Sequence, residues 1–132
     1  MNPAPPDALQ DIEIYAKTNS FEAIETWLTG HFGTLEPIRN TAKTRTFLAS
    51  WQGQAVEIFL CLNAGKTGYA SISFSATGIP WDNDIECARA AYQALATTIR
   101  CSESAWQEGD DPDRWYQISG AGEEVIHWPN PD

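Results

Sequence analysis

The sequence predicts an α+β domain: a single, mostly antiparallel sheet in the order β-α-β-β-β-β-α-β-β, with both helices packed on one face. Three observations predict it. Ala55–Leu62, Ala-Val-Glu-Ile-Phe-Leu-Cys-Leu, is the most apolar and most strand-like run, and short turns join it to strand-like runs on either side. Two segments, around residues 20–31 and 83–99, instead carry apolar side chains at helical spacing. The helical segments are separated by strands that short turns connect, which favours hairpins over parallel crossovers.

Residues 1–9 are Pro-rich and read as a flexible arm ahead of one domain over 10–132. Asp11–Lys17 alternates, with Ile12, Ile14 and Ala16 inward and Asp11, Glu13, Tyr15 and Lys17 outward, a half-buried strand. Asn19 and Glu22 have the spacing of a helix N-cap and its N3 acid. Phe21, Ile24, Trp27, Leu28 and Phe32 then recur at helical spacing, so a helix is expected from Ser20 to His31. Pro37 makes Leu35–Thr41 an edge or irregular strand.

Thr44–Trp51, the turn Gln52-Gly53-Gln54 and Ala55–Leu62 form a hairpin. Val56, Ile58, Leu60 and Leu62 share one face. Glu57, Phe59 and Cys61 share the other, and one charge in three implies that both faces are largely covered. Tyr69–Ala76 completes the meander, with Ala70, Ile72 and Phe74 inward and Ser71, Ser73 and Ser75 on a wet face.

Asn83 with Glu86 caps the second helix. Ile85, Ala88, Tyr92, Leu95 and Ile99 carry it to residue 99, with Arg100 suited to its C-terminal dipole. Residues 101–113 read as an acidic linker with room for a short strand near Ser104–Gln107. Arg114–Ser119, Gly120-Ala121-Gly122 and Glu123–Trp128 form the last hairpin, and Pro129 and Pro131 follow it.

Composition limits function. A chain of 132 residues, 42% hydrophobic and 20% charged, can bury a core of its own without metal or disulfide staples. The start Met-Asn-Pro-Ala-Pro-Pro has neither a basic nor an apolar signal region, and no run approaches the roughly 18 apolar residues of a membrane span. Cys61, Cys87 and Cys101 are too widely spaced for a Cys-x-x-Cys site and read as buried free thiols of a reducing, cytoplasmic setting.

The net charge of −10 is uneven. Residues 1–81 hold seven acids and five bases, giving −2; residues 82–132 hold eleven and three, giving −8. Such a field disfavours nucleic acid and anionic membranes and attracts a basic partner. The small basic group Arg39, Lys43 and Arg45 flanks the irregular second strand and suits protection of a sheet edge.

No motif carries catalysis. Gly65-Lys66-Thr67 lacks the glycine five positions before the Gly-Lys pair that a phosphate loop needs, since Leu60 stands there, and it leads into a strand. Glu108-Gly-Asp-Asp-Pro-Asp113 lacks the spacing of a calcium loop, so no metal is expected. His31 and His127 are too few for a histidine metal cluster. His127 shares a strand face with Glu123, and together with Tyr116 they would be the groups of a minor enzyme or ligand site.

Six tryptophans are many for this length. Trp27 and Trp51 fall on core positions; Trp81, Trp106, Trp115 and Trp128 lie in or beside the acidic region. Aromatics among acids suit a cationic partner. The sequence therefore reads as a non-enzymatic, acidic protein-binding domain that uses Trp106, Asp110, Asp111, Asp113 and Trp115 and needs no cofactor. In size, charge and lack of catalytic motifs it is similar to bacterial immunity-type inhibitors that mask a basic toxin surface. Two other readings are a small-ligand domain using the exposed sheet face and an accessory or chaperone subunit with an exposed apolar patch.

Overall fold

The computed structural model describes residues 12–63, 68–76, 80–102 and 114–127. The expected arm at 1–9, most of the acidic linker at 101–113 and the short strand expected near Ser104–Gln107 lie outside them, as do Asp11 and Trp128 at the ends of two expected strands. The described chain forms β1 (Ile12–Ala16), α1 (Phe21–Phe32), β2 (Glu36–Asn40), β3 (Thr44–Trp51), β4 (Gln54–Leu62), β5 (Ala70–Phe74), α2 (Asp84–Leu95), β6 (Ile99–Cys101), β7 (Arg114–Ser119) and β8 (Gly122–His127). All eight strands join one antiparallel sheet in the order β2-β3-β4-β5-β1-β6-β7-β8, with both helices on one face.

The first strand in sequence thus becomes a central one. β1 pairs with β5 on one side, Ile14 opposite Ile72, and with β6 on the other, Ile14 opposite Cys101. The row Ile58–Phe74–Ile12 continues the same inward face, and all three side chains are fully buried. Ile24 and Leu28 of α1 and Cys87, Ala88 and Ala91 of α2 close over these rows.

An aromatic cluster fills the space beneath α1. Trp81 lies 5.3 Å from Trp27 and 5.4 Å from Phe74, ring centre to ring centre, and Phe32 stacks on Phe74 at 6.1 Å. Trp81 is buried despite standing beside the acidic region in sequence. His31 meets the edges of both Trp27 and Trp81, and burial lowers its pKa.

Four local expectations are corrected. Ser20, not Asn19, caps α1: its Oγ accepts the Ala23 N–H at 3.0 Å. The second helix stops at Leu95, not residue 99, because Ala96 turns left-handed (φ 54°, ψ 41°). The following Thr97-Thr98-Ile99 suits extended backbone, and Thr97 Oγ1 donates to the Lys17 carbonyl at 2.8 Å, guiding Ile99–Cys101 into the sheet. Ile99 is still buried, so helical and strand readings agree on its burial and differ on its element.

Third, Ser71 and Ser73 are not on a wet surface. They are 4% and 3% exposed. Fourth, Cys61 is half-buried, whereas Cys87 and Cys101 are buried as expected.

Candidate functional site

The helix-free face of the sheet gathers the polar and aromatic side chains that the core does not use. Strand alternation places Glu13 and Tyr15 of β1, Ser71 and Ser73 of β5, Phe59 and Cys61 of β4, Arg100 of β6, and Trp115 and Gln117 of β7 on this face. Ser73 lies between Phe59 and Glu13, and Ser71 between Cys61 and Tyr15. Two short hydroxyls thus sit low among taller neighbours.

Specific contacts tie the face together. Ser73 Oγ donates to Glu13 Oε2 at 3.3 Å. Trp115 meets Tyr15 edge to face, with ring centres 5.5 Å apart. Arg100 Nε donates to Gln117 Oε1 at 2.9 Å, and its guanidinium reaches across β1 to lie 4.8 Å from the centre of the Tyr69 ring.

These surroundings shift protonation. Burial raises the Glu13 carboxyl, with the Ser73 hydrogen bond opposing it. Burial also pushes the Tyr15 phenol to about 12, assisted by the negative charges that Glu13 and Cys61 would carry. At the end of β1 the Glu13 N–H donates to Asp84 Oδ1 at 3.3 Å, beside the start of α2. Burial raises Asp84 to about 6; that hydrogen bond opposes the shift and the Glu13 charge adds to it.

Toward β2 the same face turns apolar. Leu48 stands between Glu36 and Glu57 in register, and its diagonal neighbour Phe59 lies one row away. Leu48 and Phe59 are 40% and 36% exposed. On the helix side, an open groove of about 550 Å³ runs along α1, lined by Phe21, Glu22, Glu25, Thr26 and Thr29.

Of the residues expected to contact a partner, Trp115 is described and lies on the helix-free face. Trp106, Asp110, Asp111 and Asp113 lie outside the described residues. Tyr15 was legible as outward-facing, but its pairing with Trp115 was not. Arg100, expected at a helix end, belongs to a strand; the alternation of Ile99, Arg100 and Cys101 is the signal for it.

The enzyme-like group is brought together only in part. Tyr116 Oη donates to Glu123 Oε1 at 2.6 Å. Arg89 of α2 also grips that carboxylate, with Nη2 2.9 Å from Oε1 and Nε 3.0 Å from Oε2. Arg89 holds Glu123 below the usual carboxylate range, and Glu123 in turn holds the Tyr116 phenol up. His127 stands four residues along β8, about 13 Å from Glu123 at the strand rise. The arrangement pins α2 to the last hairpin rather than poising a base.

Among the described residues no cluster of His, Cys, Asp and Glu could hold a metal ion, and no helix is long and apolar enough to cross a membrane. No protein-family model matches the chain, and neither a curated protein nor a solved structure is significantly similar to it.

Proposed function

We propose that this chain is a non-enzymatic protein-binding domain whose acidic field draws in a basic partner and whose helix-free sheet face receives it. The immunity-type version is an inhibitor that covers the cationic active surface of a toxin in the cytoplasm. The observation that supports it is the position of Trp115. It stands on the helix-free face against Tyr15, and the acidic run Asp110, Asp111 and Asp113 leads directly into its strand. A large aromatic beside acids offers both a desolvated anchor and attraction for cations. Leu48 between Glu36 and Glu57 extends the same chemistry across the face.

The test begins with a tagged pull-down at low salt and stepwise salt elution, which identifies the basic partner. Association kinetics follow. Charge reversal at Asp110, Asp111 and Asp113 is expected to slow association roughly tenfold and to flatten its salt dependence. Trp115→Ala is expected to weaken the complex by about 2 kcal/mol, mainly through faster dissociation. Unchanged kinetics in both variants would overturn the reading.

A further inference from the structure

The two edges of the sheet are built differently. β2 is short, contains Pro37 and is broken by a bulge between Pro37 and Arg39. Proline, a bulge and a basic residue are the usual protections against edge-to-edge pairing. β8 has neither the proline nor the bulge, and its charges are the acids Glu123 and Glu124. Its six residues pair with β7 without interruption, Ser119 opposite Gly122 through Arg114 opposite His127. It also exposes Val125, at 44%.

The hairpin fixes which backbone groups point outward. Ser119 and Gly122 flank a two-residue turn and are therefore a hydrogen-bonded pair. Bonded and non-bonded pairs alternate in an antiparallel ladder, so Gln117–Glu124 and Trp115–Ile126 are bonded as well. Glu123, Val125 and His127 consequently direct their N–H and C=O groups to the outer edge.

We propose that β8 pairs with β8 of a second copy of this chain, antiparallel and centred on Val125, extending the sheet across a two-fold axis. This register places Val125 opposite Val125 of the second copy and Glu123 opposite His127 of the second copy, twice. It satisfies about six outward backbone groups on each copy with about six hydrogen bonds in total. It sets an imidazole N–H donor against a carboxylate and an apolar side chain against its equivalent.

Competing registers fail. Centring on Glu123 opposes two glutamates. Centring on Glu124 opposes two glutamates across a non-bonded pair, and centring on Ile126 pairs only Val125 with His127 within the strand, so each forms about four hydrogen bonds rather than six. Centring on His127 runs most of the pairing beyond the end of the strand. Glu123 can accept a further bond: Oε1 carries Tyr116 and Arg89 Nη2, whereas the contact at 3.0 Å on Oε2 is the Arg89 Nε.

The short contact implies a dimer of modest affinity, strengthened by salt because each copy carries −10. The basic-partner complex proposed above weakens with salt, so each proposal fails independently of the other. Sedimentation velocity of the full chain from about 1 μM to about 1 mM is expected to show the mass rising from 14.6 kDa toward twice that value. Val125→Lys sets two like charges at the axis on an exposed side chain and is expected to weaken the dimer at least tenfold, with an unchanged circular dichroism spectrum. Ile38→Lys, on the protected edge, is expected to leave it intact. A monomer throughout would overturn the proposal. So would a dimer that Ile38→Lys dissolves and Val125→Lys does not, or assemblies growing beyond two copies, since the closed contact leaves no free β8 edge.

Discussion

The two faces of the central strands are both shielded, but by opposite chemistry. On the helix side, Ile12, Ile14, Ile72 and Phe74 are fully buried among aliphatic and aromatic neighbours. On the other side, Glu13, Tyr15, Ser71, Ser73 and Arg100 combine partial or near-complete burial with hydrogen bonds, an aromatic contact and a cation over a ring. The helix side gains its stability from area removed from water and close packing. The other side must offset desolvation of charged and hydroxyl groups contact by contact. Folding therefore rests on the first face, and the second is the face on which the proposed partner would dock.

The strongest way to break this contrast is on the helix side. Phe74 touches Phe32 and Trp81 and is fully buried, so Phe74→Ala removes a ring from the middle of the aromatic cluster. The expected loss is about 3–5 kcal/mol by urea unfolding, a large share of the stability of a domain of this size. A loss below about 1 kcal/mol would mean that the cluster does not organise the core.

Asp84 tests the sheet end where the two chemistries meet. Its pKa of about 6 in the folded protein lies above the unfolded value of 3.8. Below pH 3.8 both states are protonated and Asp84 costs nothing. As pH rises toward 6 the unfolded chain ionises first, so stability is lost across that window, and the full cost persists above it. After discounting for partial solvent screening the cost is about 1–2 kcal/mol. Asp84→Asn keeps an oxygen for the Glu13 N–H and removes the charge. The variant is expected to melt a few degrees above the wild type at pH 7–8 and to converge with it near pH 4. A lower melting temperature at neutral pH would show that the favourable helix-end charge outweighs burial.

The helix side was also the legible side. Alternation in Asp11–Lys17 and Thr44–Leu62 and the helical spacing of Ile24, Trp27 and Leu28 placed its residues correctly. The other face was not legible, because a serine or arginine alternating with apolar residues reads as exposed. Ser71 and Ser73 are buried by what lies beside them, and those neighbours are fixed by strand order. That order, which inserts β1 between β5 and β6, comes from tertiary pairing rather than any local pattern. Ile99 failed for a similar reason: one buried side chain satisfies a period of 3.6 and a period of 2 alike. Of the predicted contact set, only Trp115 has a described position.

The smallest effect would sharpen the comparison most, because it asks whether the faces communicate. Glu13 projects onto the helix-free side, yet its N–H reaches Asp84 and its charge raises the Asp84 pKa. Glu13→Gln keeps an acceptor for Ser73 and removes that charge. Asp84 then ionises at lower pH, so its cost at neutral pH shrinks and Asp84→Asn has less to relieve. In a double-mutant cycle at pH 8, Asp84→Asn is expected to stabilise the Glu13→Gln background by about 0.5 kcal/mol less than it stabilises the wild type. The difference should fade as pH falls toward 4, where protonation removes the interacting charges. Additivity at pH 8 would mean that water screens the two carboxylates and that the faces titrate independently. A coupling that survives at pH 4 would trace instead to side-chain rearrangement around Ser73 and Asp84, since Glu13→Gln leaves the backbone N–H bond to Asp84 in place and that bond adds no coupling of its own.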